Sequence, residues 1–313
     1  MRDIIVFSGS AHPRLAREIC ASLQVPLQPV RLERFANDCL GVQLQANCRE
    51  RDVFLIQPLV PPVQEHLVEL LLMTDAARGA SAARVTVVMS HYAYARSDKK
   101  DEPRISIGGR LVADLLVAAG ASRVLTMTLH SPQVHGFFSV PVDHLHALRE
   151  LAAHFRGSDL GNTVVVSPDL GNAKSAAAFA RRLGLPVAAA AKERHSDTSV
   201  TITSIIGDVT GRNVIILDDE IARGTTIDEL LAKLAEREVG SVRIACTHGL
   251  FAYGALDRLA ARPDVAEIVC TNTVPVPTGA HPGKVRVISV APALADAIRR
   301  IHDGESVSAL FAP

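Results

Sequence analysis

Short runs of Val and Ile alternate along this chain with Ala- and Leu-rich stretches of helical period. This alternation is typical of βα units around a mainly parallel sheet, and it predicts an α/β fold. The predicted strands are Asp3–Ser8, Val53–Ile56, Arg84–Met89, Arg123–Thr128, Thr163–Ser167, Val187–Ala190, Asn213–Leu217, Ser241–Thr247, Glu267–Thr271 and Val285–Ser289. The clearest predicted helices are Gln64–Arg78, Ile107–Ala119, Asn172–Leu183 and Thr226–Arg237.

The two halves of the sequence also resemble each other. The strand Arg84–Met89 is followed after one residue by HYAYAR, and the strand Asn213–Leu217 is followed directly by DDEIAR. A duplicated α/β unit explains this similarity, and the turn-forming residues 157–161 place the boundary nearby. We therefore expect two similar domains, residues 1–147 and 148–313, with the last helix packing back on the first domain.

Composition and charge narrow the class of protein. Of the 313 residues, 48% are hydrophobic and 21% are charged, the mix of an ordinary soluble globular protein. Lys plus Arg and Asp plus Glu number 33 each, so the overall charge indicates no nucleic-acid or anionic-membrane partner. No apolar run approaches the roughly 20 residues of a membrane span, and no signal-peptide pattern is present. We expect a cytoplasmic protein.

The cysteines and histidines form no zinc-binding pattern. The five cysteines include no CxxC pair, which argues against both a disulfide framework and a thiolate zinc site. His130, His135, His144 and His146 form no HxxxH pair on a helix. We expect the last three to be surface or interface residues.

The most specific local pattern is VIILDDEIARGTT at residues 214–226, an apolar strand followed by two carboxylates and a Gly-Thr-Thr loop that opens a helix. At the carboxyl end of a strand, Asp218 and Asp219 could accept hydrogen bonds from the 2- and 3-hydroxyls of a ribose. Backbone N–H groups and hydroxyls of the following loop would bind a 5-phosphate. The loop residues are Ala222, Arg223, Gly224, Thr225 and Thr226. Alternatively, the two acids only favour the helix N-terminus through its dipole.

This pattern resembles the ribose-phosphate signature of type I phosphoribosyltransferase folds. A wider set of motifs, in order along nearly the whole chain, resembles the ribose-phosphate pyrophosphokinase (PRPP synthetase) family. These motifs are Arg34-Phe35, residues 57–75, YAYARSDKK at 92–100, LHSPQVHGFF at 129–138 and VSPD at 166–169. The resemblance implies two phosphoribosyltransferase-like domains, each a mainly parallel sheet flanked by helices.

The resemblance also implies a reaction and its sites. In this family the pyrophosphoryl group of ATP moves to the anomeric hydroxyl of ribose 5-phosphate, AMP leaves, and Mg²⁺ is required. The ATP-binding residues would be Phe35, Asn37, Arg96, Asp98 and His130. Metal or triphosphate would be held by His130 and Asp169. The protein would be a homo-oligomer, hexameric or dimer-based.

Lys192 and Arg194 lie in a segment, AAAKER at 189–194, that resembles the mobile catalytic segment of the family. Phosphoryl-type transfer has a highly charged transition state that is stabilised mainly by positioning and by cations. Residues i and i+2 of an extended segment face the same side, so both cations could act together. The alternative is a solvated, charge-rich loop over residues 192–197.

The chain departs from the family pattern in its nucleotide loop and its phosphate loop. Residues 36–39 read Ala-Asn-Asp-Cys where Ser-Asp-Gly-Glu is usual, so we expect relaxed selectivity and the use of nucleoside triphosphates other than ATP. Arg223 and Thr225 stand where Thr and Gly are usual.

Two other functions remain open from the sequence. A phosphoribosyltransferase shares the Asp-Asp loop, but it gives no reason for a duplicated N-terminal domain that carries Phe35, Arg96 and His130. A non-catalytic regulatory subunit would keep the fold and the oligomer interface. The retained Lys192, Arg194 and Asp219 argue against that second alternative, whereas Cys39 and Arg223 argue for it.

Overall fold

The computed structural model describes residues 3–194, 200–277 and 281–310, with the backbone alone for residues 193, 194 and 200. The strands are β1 (Ile4–Ser8), β2 (Leu27–Gln28), β3 (Val30–Arg34), β4 (Leu40–Leu44), β5 (Asp52–Ile56), β6 (Arg84–Met89), β7 (Arg123–Met127), β8 (Val142–Leu145), β9 (Thr163–Ser167), β10 (Val187–Arg194), β11 (Val200–Ile206), β12 (Asn213–Ile221), β13 (Val242–Gly249), β14 (Val265–Thr271) and β15 (Val285–Ile288). The helices are α1 (Pro13–Leu23), α2 (Val63–Gly79), α3 (Gly108–Ala119), α4 (Leu148–Phe155), α5 (Ala173–Leu183), α6 (Thr225–Ala235), α7 (Ala255–Ala260) and α8 (Ala291–Asp303).

The chain divides into two compact units. The first unit runs to His146 and takes in the C-terminal segment from Val290, and the second runs from Ala147 to Ser289. Each unit contains a largely parallel sheet with flanking helices, so the predicted α/β fold class is confirmed. None of the described helices is long and apolar enough to cross a membrane.

The first unit is built on a six-stranded sheet in the order β2-β1-β5-β6-β7-β8, in which every neighbouring pair is parallel. Phe7, Leu55 and Met89 of this sheet are fully buried and belong to one core cluster that also includes Leu70 of α2 and Leu116 of α3. A separate antiparallel hairpin, β3-β4, contacts α2. The hairpin carries residues 35–39 at its tip.

The C-terminal helix α8 packs within the first unit, against α1. Asp52, a fully buried carboxylate at the start of β5, is bound by Arg84 and by His302 Nδ1, the latter at 2.9 Å. Arg299 Nη2 also donates to the carbonyl oxygen of Ser22 at 3.2 Å. Because a buried carboxylate is stable only when it is paired, these contacts tie the helix to the sheet.

The second unit has a seven-stranded sheet in the order β11-β10-β9-β12-β13-β14-β15, parallel except for the antiparallel pair β10-β11. Its central strands are buried on both faces. Successive side chains of a strand point to opposite sides, so one strand contributes to two core clusters. Ile216 lies in a cluster with Leu230 of α6, and Ile215 lies in the opposite cluster with Phe155 of α4 and Phe179 of α5.

Several segments differ from the sequence prediction, which also lacked the strands β2, β8 and β11. The predicted strand Asn213–Leu217 was too short, since β12 continues to Ile221. The predicted strand Val187–Ala190 likewise continues, as β10, to Arg194. Partner strands cause both extensions: Glu220 and Ile221 pair with β13, and Lys192 pairs with Ile202 of β11. The hairpin β3-β4 was not predicted, although alternation at Val30, Leu32, Val42 and Leu44 was a usable signal.

Candidate functional site

Three neighbouring strands of the second unit end at the same edge of its sheet and carry charged residues there. The sheet order places β9 between β10 and β12, and all three are parallel. Lys192 lies near the end of β10, Asp169 lies two residues after β9, and Asp218 and Asp219 lie in the last part of β12. The parallel arrangement therefore brings together side chains that are up to 50 residues apart in sequence.

Lys192 and Asp169 form a direct ion pair between Nζ and Oδ2. The other oxygen of the Asp169 carboxylate accepts a hydrogen bond from the backbone N–H of Asn172 at 2.8 Å. The carbonyl oxygen of Asp169 accepts from the hydroxyl of Ser167 at 2.6 Å, and the side-chain amide of Asn172 donates to the carbonyl oxygen of Leu217 at 2.8 Å. This network holds the loop after β9 against β12.

The carboxyl group of Asp218, a half-buried residue, lies in an acidic environment. Burial raises its pKa well above the usual value, and the neighbouring charges of Asp219 and Asp169 raise the pKa further. The positive charge of Lys192 acts in the opposite direction. The carboxylates at this edge thus repel one another, and Lys192 compensates them only in part.

The loop after β12 turns directly into α6. Gly224 precedes the helix with φ +74°, a left-handed conformation that glycine adopts without the steric cost of a Cβ atom. The helix begins at Thr225, one residue earlier than predicted, and both Thr225 and Thr226 are half-buried. The first N–H groups of a helix have no intrahelical partner, so this loop presents donors suited to an anion.

Arg223, in the same loop, stacks on an aromatic ring. Its guanidinium carbon lies 3.9 Å from the ring centroid of Tyr253. Its carbonyl oxygen accepts from Nη2 of Arg258 at 2.5 Å, and Nε of Arg258 donates to Asp228 in the first turn of α6 at 2.8 Å. The loop is therefore held from the side of α7 as well as by α6.

Arg194, the second predicted catalytic cation, ends β10 and pairs through its backbone with Val200. Its side chain lies outside the described part of the chain. Its predicted role together with Lys192 stays a prediction.

In the first unit, Phe35 and Asn37 lie at the exposed tip of the β3-β4 hairpin. Backbone hydrogen bonds from Phe35 N to Cys39 O and from Asp38 N to Phe35 O, both 2.9 Å, close the turn. Asn37 Oδ1 accepts from the N–H of Cys39 at 3.3 Å. Phe35 is 50% exposed, and its ring lies so close over Gly41 that a Cβ atom there would be 2.8 Å from Cζ. An exposed aromatic face at this tip is available for stacking.

Arg34 fixes the base of this tip. Its Nη1 binds Asp38 at 2.6 Å and its Nη2 binds Glu65 of α2 at 2.5 Å. The hydrogen bond and charge of Asp38, and the charge of Glu65, raise the pKa of the Arg34 guanidinium. The hairpin is thus tied to α2 through this residue.

The remaining predicted ATP residues also lie in the first unit. Arg96 ends a short 3₁₀ helix, Ala93–Arg96, and is exposed, as is His130 after β7. Asp98 is half-buried and accepts a hydrogen bond from Nε2 of Gln133 at 2.5 Å. This contact connects the segment after the 3₁₀ helix with the segment that follows His130.

The side chains at this site fit Mg²⁺, which is bound partly by substrate and water, better than a metal ion whose ligands are all protein side chains. Among the described residues, no three His, Cys, Asp or Glu side chains form a cluster that could hold a metal ion. The charges of Asp219 and Asp169 raise the pKa of Asp218, and a bound cation would relieve this repulsion. Mg²⁺ typically uses one or two carboxylates, substrate phosphates and water molecules.

Two family models match the chain. The N-terminal domain of ribose phosphate pyrophosphokinase matches residues 4–120, and the phosphoribosyl synthetase-associated domain matches residues 200–312. A putative ribose-phosphate pyrophosphokinase from Streptomyces coelicolor is 75% identical over 311 residues, which cover 99% of this chain and 98% of the relative. This chain belongs to the ribose-phosphate pyrophosphokinase family.

Further relatives of the ribose-phosphate pyrophosphokinase family agree with this membership. The ribose-phosphate pyrophosphokinase of Deinococcus radiodurans is 50% identical over 313 residues, with 98% of each chain covered. The crystal structure of phosphoribosylpyrophosphate synthetase from Mycobacterium smegmatis superposes with a TM-score of 0.89 at 37% identity, covering 97% of this chain and 100% of that one. The family resemblance of the sequence is confirmed.

Sequence reasoning missed residues that organise this candidate site in the chain of a ribose-phosphate pyrophosphokinase family member. Asn172 holds the loop of Asp169 against β12, and its position at the start of the predicted helix Asn172–Leu183 was the only sequence signal. Tyr253 and Arg258 contact Arg223 from a segment about 30 residues downstream, and nothing local in the sequence indicated that contact.

Proposed function

We propose that this chain is a ribose-phosphate pyrophosphokinase, which transfers the pyrophosphoryl group of ATP to the 1-hydroxyl of ribose 5-phosphate and releases AMP. The full-length similarity to named family members carries this proposal. The cluster of Lys192, Asp169 and Asp218 beside an anion-binding loop supports it.

Ribose 5-phosphate would bind along the end of β12 and the start of α6. Asp218 and Asp219 would accept hydrogen bonds from the 2- and 3-hydroxyls of the sugar. The N–H groups of residues 222–226 would receive the 5-phosphate, with the hydroxyls of Thr225 and Thr226 as further donors. The pKa of Asp218 is raised by burial, and hydrogen bonds from sugar hydroxyls would favour its charged form.

In the reaction, the 1-hydroxyl oxygen attacks the β-phosphorus of ATP. A new P–O bond forms, the hydroxyl proton is released to solvent, the bond from that phosphorus to the α-phosphate oxygen breaks, and AMP leaves with the electron pair. Lys192, together with Arg194, would stabilise the charge on the transferring phosphates. In the structure Lys192 is paired with Asp169, so it must exchange that partner for phosphate oxygens when substrate binds.

Asp169 and His130 are the residues that the family resemblance implies for binding Mg²⁺ or the substrate phosphates. When bound, Mg²⁺ supplies charge neutralisation and alignment of the phosphate chain. Phe35 would stack on the nucleotide base, with Asn37 at the same hairpin tip, and Arg96, Asp98 and His130 would bind the triphosphate side. Nucleoside triphosphates other than ATP would be accepted as weaker donors.

We further propose a cytoplasmic homo-oligomer, hexameric or dimer-based, as the family resemblance implies. Size-exclusion chromatography with light scattering measures the oligomer directly. A monomer at micromolar concentration would contradict this part of the proposal.

The decisive experiment follows products rather than ATP loss. The purified chain, ATP, ribose 5-phosphate and Mg²⁺ are expected to give equal amounts of AMP and a 1-pyrophosphorylated ribose 5-phosphate by ³¹P NMR, and no AMP without ribose 5-phosphate. Formation of ADP would contradict pyrophosphoryl transfer. A complete lack of turnover together with intact ligand binding would favour the regulatory-subunit alternative.

A further inference from the structure

An exposed tyrosine lies against the phosphate loop of the second unit. Tyr253 is 76% exposed, yet the guanidinium carbon of Arg223 sits 3.9 Å from its ring centroid. At that distance the cation is attracted by the negative face of the ring, so the two side chains hold each other in one geometry. The contact joins the loop after β12 to the turn before α7.

The turn that presents Tyr253 is itself anchored. Phe251 is 7% exposed, belongs to the core cluster on the α6 side of the sheet, and donates its N–H to the carbonyl oxygen of Ile221 at 3.0 Å. Phe251 and Tyr253 have φ +44° and +55°, a left-handed conformation that costs energy for residues with a Cβ atom. Such a conformation persists only where surrounding contacts determine it.

Arg223 is the residue of the phosphate loop with a long cationic side chain. Its main chain is held by Arg258, so Tyr253 determines the direction of its side chain. We propose that Tyr253 is a positioning residue that keeps the Arg223 guanidinium at the phosphate loop, where it adds a cation for the 5-phosphate of ribose 5-phosphate. This inference rests on the proposed function, since it assigns the loop to that phosphate.

The test replaces the ring while keeping a residue that tolerates the left-handed backbone. Tyr253→Asn is expected to raise KM for ribose 5-phosphate about 3- to 5-fold, the loss expected for one exposed cation–π contact, with kcat and KM for ATP within about twofold of wild type. Tyr253→Phe keeps the aromatic face and is expected to restore the wild-type KM. Tyr253→Gly, which relieves the backbone, gives the same measurement if the Asn variant fails to fold.

A double variant separates positioning from a direct contact. If Tyr253 acts through Arg223, adding Tyr253→Asn to Arg223→Gln raises KM no further than Arg223→Gln alone. Additive effects, an unchanged KM in Tyr253→Asn, or equal shifts for both substrates would overturn the inference.

Calorimetric titration of ribose 5-phosphate into the wild-type and Tyr253→Asn chains gives a readout independent of turnover. Binding weakened about 3- to 5-fold supports the inference even if no AMP is formed, in which case only the proposed reaction fails. Equal affinity of the two chains, or no binding to either, overturns the inference.

Discussion

Replacement of Lys192 by Ala removes the one predicted catalytic cation whose side chain the structure describes. Lys192 lies on β10, pairs through its backbone with Ile202 of β11, and makes its ion pair with Asp169. Because Ala is accommodated in an extended strand, the substitution leaves the backbone pairing intact. The change therefore removes charge at the site and little else.

The expected effects on rate and on stability differ in size. Loss of a cation that stabilises the transferring phosphates lowers kcat at least about 100-fold, which corresponds to about 2.7 kcal/mol of transition-state stabilisation. The side chains of Lys192 and Asp169 are 21% and 22% exposed, and Asp169 keeps its bond from the N–H of Asn172. Loss of such a partly screened pair costs about 1 kcal/mol of folding stability, or a fall in Tm of about 2–4 °C.

The assay measures AMP formation at saturating ATP, ribose 5-phosphate and Mg²⁺, alongside thermal unfolding. Lys233→Ala is a matched control, because Lys233 is also paired, with Glu236 at 2.9 Å, but lies in the last turn of α6. That variant is expected to keep wild-type kcat. A Lys192→Ala enzyme with kcat within about threefold of wild type would refute the assignment of Lys192. If the Lys192→Ala chain is largely unfolded at the assay temperature, the fall in kcat would reflect lost stability, and the expectation that the substitution affects rate more than stability would be wrong.

Three further predictions concern the sugar, the nucleotide and the thiols. Asp219→Asn is expected to raise KM for ribose 5-phosphate about tenfold, with a smaller change in KM for ATP, because a charged acceptor for a sugar hydroxyl is lost. Steady-state kinetics with each substrate varied in turn measures both KM values, and equal increases in the two would contradict the assignment. We also expect the kcat/KM for GTP or CTP, measured at fixed Mg²⁺, to be at least about a hundredth of that for ATP, which corresponds to under about 3 kcal/mol of discrimination. A ten-thousandfold preference for ATP would contradict this and show that contacts to the base edge persist. In the native chain at pH 8, we expect the exposed Cys39 to react rapidly with a thiol reagent and the other four cysteines to react slowly, because those four are buried. Burial also raises the pKa of Cys20 to about 11 and that of Cys270 to about 12. Cys39→Ser should remove the rapid phase, and a rapid phase of more than one thiol would contradict the burial.

The sequence determined those features whose physical cause is local. Strand and helix periodicity follows from burial of one or both faces of each element, so the α/β class could be predicted from Val- and Ile-rich runs alone. The motif at residues 214–226 is a contiguous strand, loop and helix start, so its carboxylates and its loop could be assigned to one site without knowledge of the fold. The family resemblance rests on the same kind of contiguous motif.

Tertiary structure decided what depends on distant partners. The pairing of Lys192 with Asp169, 23 residues apart, exists because β9 lies between β10 and β12. The contact of Arg223 with Tyr253 exists because β12 pairs with β13 up to Gly249, just before that turn. The same pairing extends β12 through its two aspartates, because a strand ends where its neighbour no longer provides hydrogen-bond partners. Which strand lies beside it depends on the fold and not on the local sequence.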